Sequence, residues 1–143
     1  MSTTTQPQTL TVLVLDVDGT LREQDVPVPD GDPQTLAIPR AAMGHGATMA
    51  EAIGELFDMT VYDDEDGKLK VLAPNPLATI AIHMACGLNR DDHLVGRIVF
   101  VAYDEDGRQV STSEQQRKLL TSVIDGARFH HLMMGCPDLV VIG

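Results

Sequence analysis

The sequence predicts an α+β fold, an antiparallel or mixed β-sheet built from Asp-Gly hairpins with about three helices packed on one face. Three observations predict it. An apolar, largely β-branched segment is followed by an Asp-Gly pair and a second extended segment three times along the chain. Between these units lie stretches whose apolar residues recur at helical spacing, two of them opened by capping boxes. The chain has 143 residues, 43% of them apolar, which suffices for one globular domain and not for two. The domain is therefore expected to occupy residues 10–143, after a Ser/Thr/Gln/Pro-rich tail over residues 1–9 that has neither the basic cluster nor the apolar core of an export signal.

The elements follow in order. Residues 10–16 form a strand, Asp18-Gly19 turns the chain, and residues 20–28 run back until Pro27 and Pro29 close the segment. The same unit recurs as residues 59–62, Asp64-Glu65-Asp66-Gly67 and residues 68–72, and again as residues 97–103, Asp104-Glu105-Asp106-Gly107 and residues 108–111. Gly supplies the positive φ that a tight hairpin requires, and Asp tolerates the left-handed region better than most residues. Thr48 and Glu51 make a capping box ahead of Ile53, Leu56 and Phe57, so a helix is expected over residues 48–57. Asn75-Pro76 reads as cap and first turn of a buried helix that runs to Cys86 and stops at Gly87. Ser113 and Gln116 open a third helix, whose stripe of Leu119, Leu120, Val123 and Ile124 ends at Gly126. Residues 139–142 add a candidate last strand, and residues 33–43 are ambiguous because Pro39 interrupts them.

Composition narrows the function. Ten Lys and Arg against 21 Asp and Glu give a net charge of −11, which repels phosphate backbones and favours cationic partners. Three Phe, two Tyr and no Trp leave no stacking platform for bases. No apolar stretch approaches the roughly 20 residues that span a bilayer. Cys86 and Cys136 are too few for a disulfide framework and are expected to remain thiols in a reducing bacterial cytoplasm.

Candidate sites are weighed one by one. The acidic turns Asp63-Asp64-Glu65-Asp66 and Asp104-Glu105-Asp106 could ligate calcium, but a twelve-residue loop with Gly67 in sixth place would begin at Tyr62 and end at Ala73, and with Gly107 it would begin at Ala102 and end at Ser113. Solvated hairpin tips account for them better, and such tips are where an acidic protein would meet a basic protein partner. His83, Cys86 and His93, or His130, His131 and Cys136, lack the close paired spacings of a zinc signature and a nameable fourth ligand, so no metal or other cofactor is expected. Gly44-His45-Gly46 lacks the glycine and lysine of a phosphate loop.

Leu13-Val14-Leu15-Asp16-Val17-Asp18-Gly19-Thr20-Leu21 resembles the first motif of the haloacid-dehalogenase-like phosphatases. That resemblance would make Asp16 the nucleophile, Asp18 the general acid and base, and both of them magnesium ligands. The surroundings oppose it. The later lysine and the acidic pair after an apolar strand are missing, since Asp91-Asp92 follow a helix terminus and loop. Asp18-Gly19 turns straight into a second strand where that fold wants a crossover helix. Two other Asp-Gly turns carry no phosphatase pattern, so a hairpin turn explains all three.

Over residues 10–124 the chain resembles a family of small proteins of unknown function carried by tailed phages and mobile elements of Gram-positive bacteria. The blocks that carry the likeness are the first strand with Asp16-Val17-Asp18-Gly19-Thr20-Leu21-Arg22-Glu23, the Tyr62 to Lys70 hairpin, Ala73-Pro74-Asn75-Pro76-Leu77-Ala78-Thr79, Val95-Gly96-Arg97-Ile98-Val99-Phe100-Val101 and the Ser113-Glu114-Gln115 helix. It implies a small accessory protein and transfers no catalytic residue. The expected function is non-enzymatic, binding a protein partner with a basic surface through Asp63, Asp64, Glu65, Asp66, Asp104, Glu105 and Asp106. Two alternatives stand beside it: an acidic mimic of nucleic acid that blocks a DNA-binding or defence enzyme, and a minimal magnesium-dependent phosphatase. An unpaired edge strand also offers a route to a homodimer.

Overall fold

The computed structural model describes residues 9–28, 36–44, 50–64, 72–86 and 93–134. Nine elements follow in order: β1 (Thr9–Leu15), β2 (Leu21–Pro27), α1 (Ala37–Met43), β3 (Ala50–Leu56), β4 (Met59–Asp64), α2 (Pro76–Cys86), β5 (Ile98–Tyr103), β6 (Gln109–Val110) and α3 (Glu114–Met134). The strands form one sheet in the order β2-β1-β5-β4-β3, with the short β6 also on β5. Every pairing is antiparallel. The fold is α+β, as the hairpin pattern implies.

Alternation along the strands builds two cores. On one face Leu13, Leu15, Met59, Val61, Ile98 and Phe100 pack against Leu77, Ala78 and Ala81 of α2 and Leu120, Ile124 and Ala127 of α3. On the other, Val12, Val14, Tyr62, Val99 and Val101 pack against Ile38, Ala42 and Met43 of α1. β5 is buried along nearly its whole length because it is covered on both faces. Only α2 and α3 share one face, as expected of the helices; α1 covers the other. Pro39 is accommodated in its first turn, where a missing N–H costs nothing.

The expected helix over residues 48–57 is a strand, β3, and the apolar spacing that mimicked a helix has a cause. The β3–β4 register shifts between Ala52 and Gly54, so Ile53 is an extra residue in a bulge. The bulge resets the alternation. Ala50 faces the α1 side while Ile53, Leu56 and Phe57 pack on the α2/α3 side, giving intervals of three and four residues. β4 accordingly pairs with β3 through a two-residue turn at Phe57 and Asp58, both with positive φ (53° and 59°). The expected second strand at residues 68–72 lies outside the described residues except for Leu72, which is not in a strand, and the expected strand at 139–142 lies outside them as well.

Helix ends follow the sequence closely. Asn75 Oδ1 accepts from Ala78 N (3.2 Å), and its amide donates to Leu15 O (3.0 Å) and Gly96 O (2.9 Å), tying α2 to the ends of β1 and β5. The Ser113–Gln116 box is reciprocal: Gln116 N donates to Ser113 Oγ (3.1 Å) and Gln116 Oε1 accepts from Ser113 N (2.8 Å). α3 does not stop at Gly126 but continues to Met134. Gly126 faces open space, and beyond it Ala127 is buried and Arg128 donates to Gly19 O (3.1 Å), so tertiary contacts carry the helix past its weak residue. Of the expected tail, Thr9 already belongs to β1, and residues 1–8 lie outside the described set. Among the described residues no helix is long and apolar enough to cross a membrane.

Candidate functional site

Asp16 and Asp104 open two turns of one backbone design. Asp16 N donates to Thr20 O (2.9 Å) and Gly19 N to Asp16 O (3.0 Å); Asp104 N donates to Arg108 O (2.9 Å) and Gly107 N to Asp104 O (2.9 Å). Gly19 and Gly107 both hold positive φ, 90° and 80°. A three-residue hairpin loop with a glycine bulge thus accounts for the glycine and for one loop-closing Asp in each Asp-x-Asp-Gly stretch.

The side chains differ between the two turns. Asp104 Oδ1 accepts from the N–H groups of Asp106 and Arg108 (both 2.9 Å), closing its own loop. In the first turn Asp18 takes over that work, with Oδ1 accepting from Thr20 N (2.9 Å). The Thr20 N–H, and then its hydroxyl, hold the Asp18 carboxyl below the usual aspartate value. Asp16 is free to turn elsewhere. Its Oδ2 accepts from Arg22 Nε (2.9 Å) and its Oδ1 from Arg97 Nε (2.8 Å). Arg97 also donates to Met43 O (3.4 Å), at the C-terminus of α1, where a cation is favoured. Both oxygens of the candidate nucleophile are therefore held by guanidinium groups.

The expected partner-binding acids divide between two ends of the sheet. The β1–β2 turn, Arg97 and the end of β4 share one end, since Leu15 pairs with Ile98 and Tyr62 with Val99. Asp63 and Asp64 lie there, Asp64 buried, while Glu65 and Asp66 lie outside the described residues. Asp104, Glu105 and Asp106 lie at the opposite end, so Asp63 and Asp64 do not join them. A residue the sequence reading passed over does. Asp58, in the β3–β4 turn, accepts through its carbonyl from Tyr103 N (3.0 Å), and with Tyr103, Asp104, Glu105 and Asp106 it lines an open cleft of about 610 Å³. Loss of water, the charges of Glu55 and Asp58 and a hydrogen bond to Glu55 push the Tyr103 phenol above its usual value. Asp25 closes the same end, because it pairs with Thr11 at the start of β1. The signal for Asp58 was hidden because its turn contains no glycine.

Of the candidate metal ligands, His83 and Cys86 stand on α2, and Cys86 Sγ donates to Glu55 O (3.3 Å). Burial pushes the Cys86 thiol up from its ordinary value. Among the described residues no three His, Cys, Asp or Glu side chains gather into a metal-binding group. No family model, curated protein or solved structure matches the chain.

Proposed function

We propose that the chain is a non-enzymatic accessory protein, of the phage or mobile-element kind that its sequence resembles, which acts by binding a protein partner with a basic surface. The observation that carries this reading is the cleft at one end of the sheet, where exposed Asp58, Glu105 and Asp106 surround half-buried Tyr103. None of the three acids belongs to an ion pair among the described residues, so their charge is available to a cationic surface. Tyr103 adds an aromatic face against which a Lys or Arg stem can pack. The acids at Asp63 and Asp64 are a weaker part of the reading, given the burial of Asp64.

Phosphoryl transfer is disfavoured by the same geometry. Each oxygen of Asp16 already accepts from a guanidinium group, Arg22 on one and Arg97 on the other, and this pairing lowers the electron density that a nucleophile or a metal ligand must donate.

The test compares immobilised wild-type protein with an Asp58→Lys, Glu105→Lys, Asp106→Lys variant in capture from bacterial extract. The expected result is a bound protein released by moderate salt and missing from the variant. Identical capture by both, or magnesium-dependent hydrolysis of an aryl phosphate that disappears in Asp16→Asn, would overturn the reading. Competition by duplex DNA for the captured protein would assign the acidic end to mimicry of a phosphate backbone.

A further inference from the structure

We infer that the open edge of β2 is a docking strand, onto which an extended cationic segment of a partner protein adds as a further strand of the sheet. The inference deepens the protein-binding reading above and rests on it.

The hydrogen-bond parity of the first hairpin fixes what the edge offers. The bond from Asp16 N to Thr20 O closes the bonded pair next to the turn. In an antiparallel ladder bonded and non-bonded pairs alternate, so Arg22, Gln24 and Val26 direct their backbone groups to β1, and Leu21, Glu23 and Asp25 direct theirs outward. β2 ends the sheet, and these outward groups meet no hydrogen-bonding partner among the described residues. The opposite edge is treated differently. β3 is interrupted by its bulge, and one of its carbonyls, Glu55 O, is already occupied by the Cys86 thiol on α2.

Charge decides between occupants. A second copy pairing about a two-fold axis must centre on residue 22, 23 or 24 to use this edge fully. The first sets Arg22 against Arg22, the second Glu23 against Glu23, and the third Glu23 against Asp25 twice over. Like charges directly opposite are destabilising, so self-pairing is disfavoured in every register. A foreign strand with Lys or Arg opposite Glu23 and Asp25, a neutral residue opposite Arg22 and an apolar residue opposite Leu21 removes each of those repulsions. Asp25 is bonded only by the neutral Thr11 hydroxyl (2.7 Å), and Glu23 gives one oxygen, Oε1, to Arg117 and keeps the other. Pro27, which ends the strand, sets the length of the docked segment at about six residues.

The probe is the synthetic peptide acetyl-Thr-Lys-Thr-Lys-Thr-Val-Thr-amide, whose two Lys fall opposite Asp25 and Glu23 and whose Val falls opposite Leu21 in an antiparallel pairing, and the readout is amide hydrogen exchange of the full chain by NMR. The expected result is slowed exchange at Leu21, Glu23 and Asp25, and binding weakened about tenfold in Asp25→Pro, which removes an outward N–H and leaves the β1–β2 ladder bonded. A peptide with Glu in place of Lys is expected not to bind. Slowing confined to Asp58 and residues 104–107 would overturn the docking strand and leave the acidic cleft standing. No slowing at any amide would likewise reject the edge, while the capture experiment decides separately whether a partner exists. Concentration-dependent slowing at the three amides without peptide would overturn the inference in favour of a second copy.

Discussion

Asp16 and Asp104 begin turns with the same backbone bonds, yet one carboxylate closes its own loop and the other bridges two arginines, Arg22 in β2 and Arg97 just before β5. The difference makes Asp16 a stability residue. Asp16→Asn removes the charge that holds Arg22 and Arg97 side by side, and it should cost about 1–2 kcal/mol in a urea titration, a modest figure because all three side chains are partly solvated. A reaction centre would behave the other way, losing activity while keeping stability. Asn75 is the more costly position. It is fully buried, and Asn75→Ala strands two carbonyls and a helix-terminal N–H at once, a loss of about 3 kcal/mol. Asn75→Asp keeps the cap but faces a carboxylate toward two carbonyls, so its instability should ease as pH falls and the carboxyl gains a proton to donate. At Asp18 the sign is opposite. Its folded value lies below the unfolded one, so its stabilisation is complete above the ordinary aspartate range and fades as pH drops through the depressed value. Asp18→Ala should therefore flatten the stability profile below about pH 4, measured by thermal melts.

At the scale of elements, the parts legible from the sequence are those whose signals are local. Asp-Gly turns mark two hairpins, and Asn75 and the Ser113–Gln116 box mark two helix starts, because caps and positive-φ glycines act within a few residues. β3 was illegible for a physical reason: one bulged residue, Ile53, turns a period of two into intervals of three and four, and the capping-box pattern at Thr48 and Glu51 completed the resemblance to a helix. The Phe57–Asp58 turn was equally hidden, since non-glycine residues adopt its conformation only under the hold of the paired strands. The candidate site was half visible for the same cause. The β5–β6 acids could be named, but not their union with Asp58, which a long-range pairing brings about. Gly126 shows the opposite error, where a local stop signal is overridden by contacts from Ala127 and Arg128. Because nothing lies near a Cβ at that position, Gly126→Ala should stabilise the protein by about 0.5–1 kcal/mol, seen as a raised melting temperature.

For the whole molecule, the two ends of the sheet differ in how their acids are paired. Arg22 and Arg97 gather with Asp16 and Asp18 at one end of the sheet, whereas Asp25, Asp58, Glu105 and Asp106 occupy the other with no ion pair to an Arg or Lys among the described residues. Salt acts on both ends, and the two effects oppose each other. Screening weakens the Arg–Asp bridges, each worth less than about 1 kcal/mol where the side chains are exposed. It also relieves repulsion among unpaired acids on a chain of net charge −11, whose interactions reach about 30 Å at 0.01 M ionic strength and about 8 Å at 0.15 M. The unpaired set is larger and less solvated by counter-charge, so the melting temperature should rise between those two ionic strengths, measured by calorimetry. The rise should shrink in the Asp58→Lys, Glu105→Lys, Asp106→Lys variant, whose net charge rises from −11 to −5. A rise of equal size in both proteins would place the repulsion elsewhere on the surface, and with it would go the argument that this end of the sheet is held ready for a cationic partner.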